Sequence, residues 1–190
     1  MLKFDNVTKK YGNVTVFENF NSEVWDGDRL VIMGRSGCGK TTLLNLASSL
    51  ISPDSGVIIR QESFSYMFQE PRLLPWYTSR ENIRAVITKD RYEIADKYIR
   101  LTGIEEFANK YPDALSGGMA QRVSFARFLC YAESTDAKLL MLDEPFSSLD
   151  DTHADKMINI LAEFAKDKTL LLVTHNPEDA QKLGAKIINL

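Results

Sequence analysis

The chain has 190 residues, 44% of them hydrophobic and 26% charged, which is enough to bury a sizeable core in one domain or in one domain with a lobe. A formal net charge of −3 gives no basic footprint, so long-range attraction to nucleic acid or to anionic lipid is excluded as the main function, although local basic patches stay open. Cys38 and Cys130 lie far apart and match neither a metal spacing nor a disulfide framework, which fits a reducing cytosol. The start, "MLKFDNVTKKYG", has no apolar run of signal-peptide length, and no run approaches the roughly 18 apolar residues of a membrane span. Membrane association is therefore expected only through a partner.

In chain order, "LKFDNVT", "VTVFENF" and "SEVW" are short and partly alternating, as antiparallel strands are. "RLVIM" (29–33), "KLLML" (138–142) and "TLLLVT" (169–174) are compact apolar runs, the pattern of parallel strands covered on both faces. These three are expected to form a central sheet. "ISPDSG" is a turn cluster after the first helix and the one soft boundary. From Pro71 to Leu115 the pattern is mostly helical. Within it, "RYEIADKYIRLTGI" puts Tyr92, Ala95, Tyr98, Ile99 and Thr102 near one face, and Pro71, Pro75 and Pro112 mark breaks. The expectation is one domain over 1–190, with a helical lobe at about 71–130 inserted in the sheet core. No repeat, low-complexity tract or long linker divides it.

The strongest chemical signal is "GRSGCGKTT", which follows an apolar strand and precedes the helix-compatible "TTLLNLASSL". Gly34, Gly37 and Gly39 let backbone N–H groups approach phosphate oxygens, Lys40 adds a point charge, and Thr41 offers a hydroxyl to Mg²⁺. The whole run, with Arg35, Ser36, Cys38 and Thr42, is the expected phosphate cradle; Cys38 enters as a small residue at a variable position, not as a redox group. The fold class is then α/β, a P-loop NTPase with a mostly parallel central sheet, an N-terminal antiparallel β subdomain and an inserted α-helical lobe.

A second signal is "KLLMLDEP", an apolar run ending in Asp143 and Glu144. Strand carboxyl ends are where open α/β sheets bind ligands, so both acids can reach the phosphates. Asp143 suits the Mg²⁺ shell, and Glu144 is left to orient or deprotonate an attacking water. "THN" supplies His175 after the last strongly apolar strand, able to donate to the γ-phosphate or the water. His153 sits in a polar helix-like stretch and reads as structural. "LSGGMAQR" (115–122) is a second glycine-rich turn into a helix; locally Ser116 is an N-cap and the glycines make a tight turn.

With these residues in view the chain resembles the nucleotide-binding subunit of ATP-binding cassette (ABC) transporters. "LSGGMAQR" resembles that family's signature motif, "FQE" (68–70) its glutamine loop, "SSLD" (147–150) its D-loop, and His175 its switch histidine, all in the family's order. The resemblance implies that Tyr11 stacks on adenine, that Gln69 senses the metal and attacking water, and that Glu144, His175 and Gln69 serve catalysis. It also implies a homodimer, packed head to tail, in which Ser116, Gly117, Gly118 and Asp150 complete the neighbour's ATP site. ATP and Mg²⁺ are the implied cofactors. "QEPRLLPW" (69–76) is similar to the loop of importer subunits that serve nitrate, aliphatic sulfonates, taurine and related solutes. In that likeness Arg72, Leu73, Leu74 and Trp76 help receive a helix of a transmembrane permease. The implied partners are permease subunits and an extracytoplasmic solute-binding protein, not nucleic acid, and the implied location is the cytoplasmic face of the membrane.

Two departures from the family pattern matter: the chain stops after "KIINL", so no regulatory tail is expected, and "THN" replaces the commoner His-Asp pair. Among rivals, a GTPase or phosphotransferase shares the phosphate loop, but "NKYP" misses the guanine-reading N-K-x-D pattern and neither class explains "LSGGMAQR". A soluble ABC protein of DNA repair or translation lacks its usual coiled-coil insertion or second cassette here. "EPRLLPW" speaks against an export cassette.

Overall fold

The computed structural model describes residues 1–60 and 63–190. The chain begins with β1 (Leu2–Tyr11) and β2 (Val14–Val24), and β3 (Arg29–Met33) then leads into α1 (Lys40–Ala47). After β4 (Ser55–Arg60) and β5 (Phe64–Met67) come α2 (Ser79–Arg84), α3 (Tyr92–Thr102) and α4 (Gly117–Ser134). The remainder alternates: β6 (Leu139–Asp143), α5 (Asp151–Phe164), β7 (Thr169–Val173), α6 (Pro177–Leu183) and β8 (Lys186–Asn189). An antiparallel sheet has the order β2-β1-β4, and a five-stranded parallel sheet the order β5-β6-β7-β3-β8.

The compact apolar runs are explained by burial on both faces. Leu30, Ile32, Leu139, Met141, Leu171 and Val173 face one way, into a core shared with α1 and the antiparallel sheet. Val31, Leu140, Leu142, Leu170 and Leu172 face the other way, into the core formed with α3, α4 and α5. Because successive residues alternate between two packed layers, no position from Leu139 to Leu142 or from Leu170 to Val173 tolerates a polar side chain cheaply. Truncating Leu140, which is fully buried, to alanine would cost about 2–5 kcal/mol.

Helix starts follow their capping chemistry. Thr78 and Glu81 form a reciprocal capping box at α2, while Ser116, Asp150 and Asn176 each accept a hydrogen bond at the head of α4, α5 and α6. On α3, Ala95, Tyr98, Ile99 and Thr102 are buried as the periodicity predicts, while Tyr92 is only half-buried.

Several sequence expectations need correction. "VTVFENF" and "SEVW" do not make separate strands; Val14–Val24 is one strand whose pairing with β1 shifts register three times, and bulges let it bend as a unit. The parallel sheet has β5 and β8 beside the three expected strands. Both lie at sheet edges, and β8 is exposed along its length, so neither carries a doubly buried run. The stretch 71–115 is less helical than its pattern suggests, with only six residues in α2 and eleven in α3 besides short 3-10 turns.

Sheet register positions the site. Asp143 of β6 pairs with Val173 of β7, and Val173 pairs with Ile32 of β3. Three parallel strands therefore end in one row, and the segments that begin at Gly34, Glu144 and Thr174 leave the sheet side by side.

Candidate nucleotide site

At that edge lies a cleft of about 340 Å³, lined by Tyr11, Val16, Gln69, Glu144, His175 and the phosphate-loop residues Ser36, Gly37, Gly39, Lys40, Thr41 and Thr42. Gly39 starts α1 with φ 108, and a Cβ there would stand 2.6 Å from Val16 of β2. Only glycine meets both the left-handed backbone and that close approach. Lys40 is buried, and its Nζ donates to the carbonyls of Gly34 (2.8 Å) and Arg35 (3.1 Å), which leaves one ammonium hydrogen for another acceptor. Gly34, Arg35 and Cys38 do not line the cleft; the first two act through these carbonyls.

Asp143 lies beneath the cleft, 1% exposed. Thr41 Oγ1 donates to its Oδ2 at 2.7 Å, and its Oδ1 is buried with no hydrogen-bond partner among the described residues. Burial pushes the Asp143 carboxyl above the usual range and the charge of Glu144 adds to this, while the Thr41 hydrogen bond and Lys40 act against it. An orphaned, desolvated carboxylate oxygen beside a threonine hydroxyl is a donor pair suited to a hard divalent cation. Among the described residues no cluster of three or more His, Cys, Asp or Glu could cage a metal, so an ion here would take its other ligands from water and phosphate.

Glu144 adopts φ 45, a left-handed conformation rare outside glycine, and its N–H donates to Val173 O at 2.9 Å. His175 Nε2 lies 2.6 Å from Glu144 Oε1, with the imidazole more exposed than the carboxylate. The histidine's position is fixed from below. Thr174 Oγ1 donates to the buried Asp179 at 2.6 Å, and Asn176 caps α6 by accepting from Glu178 N. Asn176 thus does as an amide what an aspartate would do as a helix cap.

Gln69 reaches the cleft from the loop after β5. Arg127 on α4 donates to the carbonyls of Pro71 (2.7 Å) and Arg72 (3.1 Å), and the Arg72 guanidinium lies 3.8 Å from the Phe68 ring centre. Beyond it, fully buried Asn82 accepts from Leu74 N and donates to the carbonyls of Leu74, Tyr77 and Thr78. Trp76 and Tyr77 stay exposed at 66% and 39%, whereas Leu73 packs against the core.

Ser116, Gly117, Gly118 and Asp150 are not among the residues lining the cleft. Ser116 caps α4 by accepting from Met119 N. Asp150 caps α5, and hydrogen bonds from His153 hold its carboxyl below the usual range. His153 is therefore a partner of the cap, in line with its structural reading. Residues that sequence reasoning missed include Val16 and the Thr174–Asp179 pair. "THNPED" does carry a local signal for the latter, an N-cap with proline at the first helical position and acids in the first turn.

Comparison with known proteins agrees with this geometry. The family model described as ABC transporter matches residues 17–147. An uncharacterised ABC transporter ATP-binding protein of Methanocaldococcus jannaschii is 35% identical over 209 aligned positions, covering 100% of this chain and 77% of the relative. An aliphatic sulfonates import ATP-binding protein of Pseudomonas syringae pv. tomato is 39% identical over 185 positions, covering 95% of this chain and 78% of the relative. Among solved structures, the dimeric post-hydrolysis state of an ATP-binding cassette bound to ADP and Pi superposes with a TM-score of 0.90 at 28% identity, covering 100% of this chain and 94% of that one. With its parallel sheet, phosphate loop and matched family model, the chain belongs to the ABC transporter family, as an ATP-binding cassette of the ATP-hydrolysing kind.

Proposed function

We propose that the chain is the ATPase subunit of an ABC importer for a small solute of the nitrate, aliphatic sulfonate or taurine kind. The observation that carries this reading is the single cleft in which the phosphate loop, Gln69, Glu144, His175 and Tyr11 meet. Tyr11, half-exposed at the cleft wall, stacks on adenine for roughly 1–3 kcal/mol. Backbone N–H groups of residues 36–41 and the Lys40 ammonium hold the phosphates. Thr41 and Asp143, with Gln69 nearby, would hold Mg²⁺, which supplies charge neutralisation on the β- and γ-phosphate oxygens when bound. Glu144 orients a water and accepts its proton as the water oxygen bonds to the γ-phosphorus. The bond to the β-phosphate bridging oxygen breaks, and ADP and inorganic phosphate result. His175, with Nε2 2.6 Å from Glu144 Oε1, stands beside the carboxylate and can donate to a γ-phosphate oxygen.

The site so built lacks Ser116, Gly117 and Gly118, which supports a head-to-tail homodimer in which each α4 N-terminus meets the partner's γ-phosphate. The solved neighbour is itself a dimer. Asp150 lies at that same interface in this arrangement. Closure follows ATP because the phosphates bridge both copies only in the closed pair.

No described helix is long and apolar enough to cross a membrane, so the cassette reaches the cytoplasmic face of the bilayer through permease subunits, with an extracytoplasmic solute-binding protein upstream. The exposed Trp76 and Tyr77, whose rings meet edge-on at 6.4 Å, supply an apolar docking surface. The sulfonate-import relative supports the solute class. Reconstitution with the cognate permease and binding protein in liposomes tests the reading. ATP-driven uptake of a sulfonate, taurine or nitrate is expected; ATP turnover indifferent to permease and solute would refute it.

A further inference from the structure

The left-handed backbone at Glu144 costs of order 1–3 kcal/mol and persists only where its surroundings hold it. Three groups of its own neighbourhood contribute: Val173 O accepts from its N–H, and both the N–H and the hydroxyl of Ser147 donate to its carbonyl. The next residue is Pro145, which has no N–H, so its carbonyl is the one backbone group by which it can be held through a hydrogen bond. That carbonyl accepts from Gln121 Nε2 at 3.1 Å, and Gln121 is 1% exposed.

Gln121 does not act from an isolated point. Gly118, Gln121 and Phe125 share one face of α4 at helical spacing, and each meets the segment after Glu144. A Cβ on Gly118 would stand 3.0 Å from Ser148 O, Gln121 holds Pro145, and the Phe125 ring packs edge-on against Phe146 at 6.0 Å. A buried amide donor with a defined acceptor sits in the middle of that stripe, one residue from the proposed water-orienting acid.

We propose that Gln121 is a positioning residue for hydrolysis: by holding the Pro145 carbonyl it fixes the turn that aims the Glu144 carboxylate into the cleft. The proposal rests on the assignment of Glu144 given above. Gln121 touches no nucleotide in this arrangement, so it sets turnover and leaves ATP binding alone.

The test uses Gln121→Met, which keeps length and approximate volume but removes the donor, measured by steady-state ATP hydrolysis and direct nucleotide binding. A loss of about 10- to 100-fold in kcat is expected, with KM and ATP affinity unchanged. Val123→Ala, on the same helix but away from the turn, serves as a control with lowered melting temperature; it should keep kcat near that of the parent. Equal losses in kcat for the two variants, or a Gln121→Met defect that lies in ATP affinity, would overturn the proposal. Glu144→Gln separates the two readings. If it abolishes turnover while Gln121→Met turns over normally, the positioning role alone fails; if Glu144→Gln turns over fully, the assignment of Glu144 fails and the positioning role with it.

Discussion

Asn82 offers a quantitative test of how the loop after Gln69 is built. Its side chain is fully buried and has one acceptor oxygen and two N–H hydrogens. The oxygen takes Leu74 N at 2.7 Å, and the two hydrogens are shared among the carbonyls of Leu74, Tyr77 and Thr78 at 3.0–3.1 Å. At most three full hydrogen bonds are therefore available. At about 1 kcal/mol net for each, Asn82→Ala removes about 3 kcal/mol. The loop's backbone groups can rehydrate only by loosening the turn. For a domain of this size that corresponds to a fall in Tm of roughly 6–12 °C. Urea denaturation gives the free energy directly, provided the m-value stays constant. Asn82→Asp keeps the shape and the acceptor but turns a carboxylate toward three carbonyls, so it should be no more stable than the alanine variant. A loss below about 1 kcal/mol for Asn82→Ala would show that the loop holds itself and that the clamp is incidental.

Other outcomes follow from the site and its support. Lys40→Ala removes the ammonium from the phosphate loop, so fluorescent-nucleotide titration should find most ATP binding gone; retained affinity would contradict the cradle. In a dimer mixed from Ser116→Arg and Lys40→Ala copies, crossed sites leave one intact site, so binding stoichiometry should be one ATP per dimer, whereas same-chain sites leave none without a lesion. Glu133 reports on the α3–α4 contact. Burial alone would raise its pKa, but hydrogen bonds from Lys97 and Tyr98 more than offset this and hold it below the ordinary glutamate value. A depressed folded pKa gives stability that is present above the unfolded value and lost as pH falls through the folded one. The Tm gap between the parent and Glu133→Gln should accordingly be widest near neutral pH and close in acid; a gap independent of pH would remove the ionic contribution.

The parts of this molecule that are legible in the sequence are those whose physics is local. "RLVIM", "KLLML" and "TLLLV" announce themselves because each residue is packed on one side or the other, and the phosphate cradle because its donors are consecutive. β5 and β8 lack that pattern, being edge strands with one flank unpaired and, in β8, every side chain exposed. Register explains why Glu144 and His175 could be assigned to one edge from strand ends alone. Gln121 and Arg127 left no such trace. Their acceptors, Pro145 and Pro71, lie 24 and 56 residues away along the chain, so no spacing rule connects them. Asn82 is hidden for a different reason: a polar residue in a short helix looks solvated until the loop wraps over it.

The contact between Gly39 and Val16 has a mechanical consequence. It seats the hairpin that carries Tyr11 against the first turn of α1, so the Tyr11 wall of the cleft and its glycine-rich loop cannot drift apart independently. The span of the jaw they form is therefore set by the fold itself. A longer residue at 39 would wedge that jaw open and set the two grips at odds with one another.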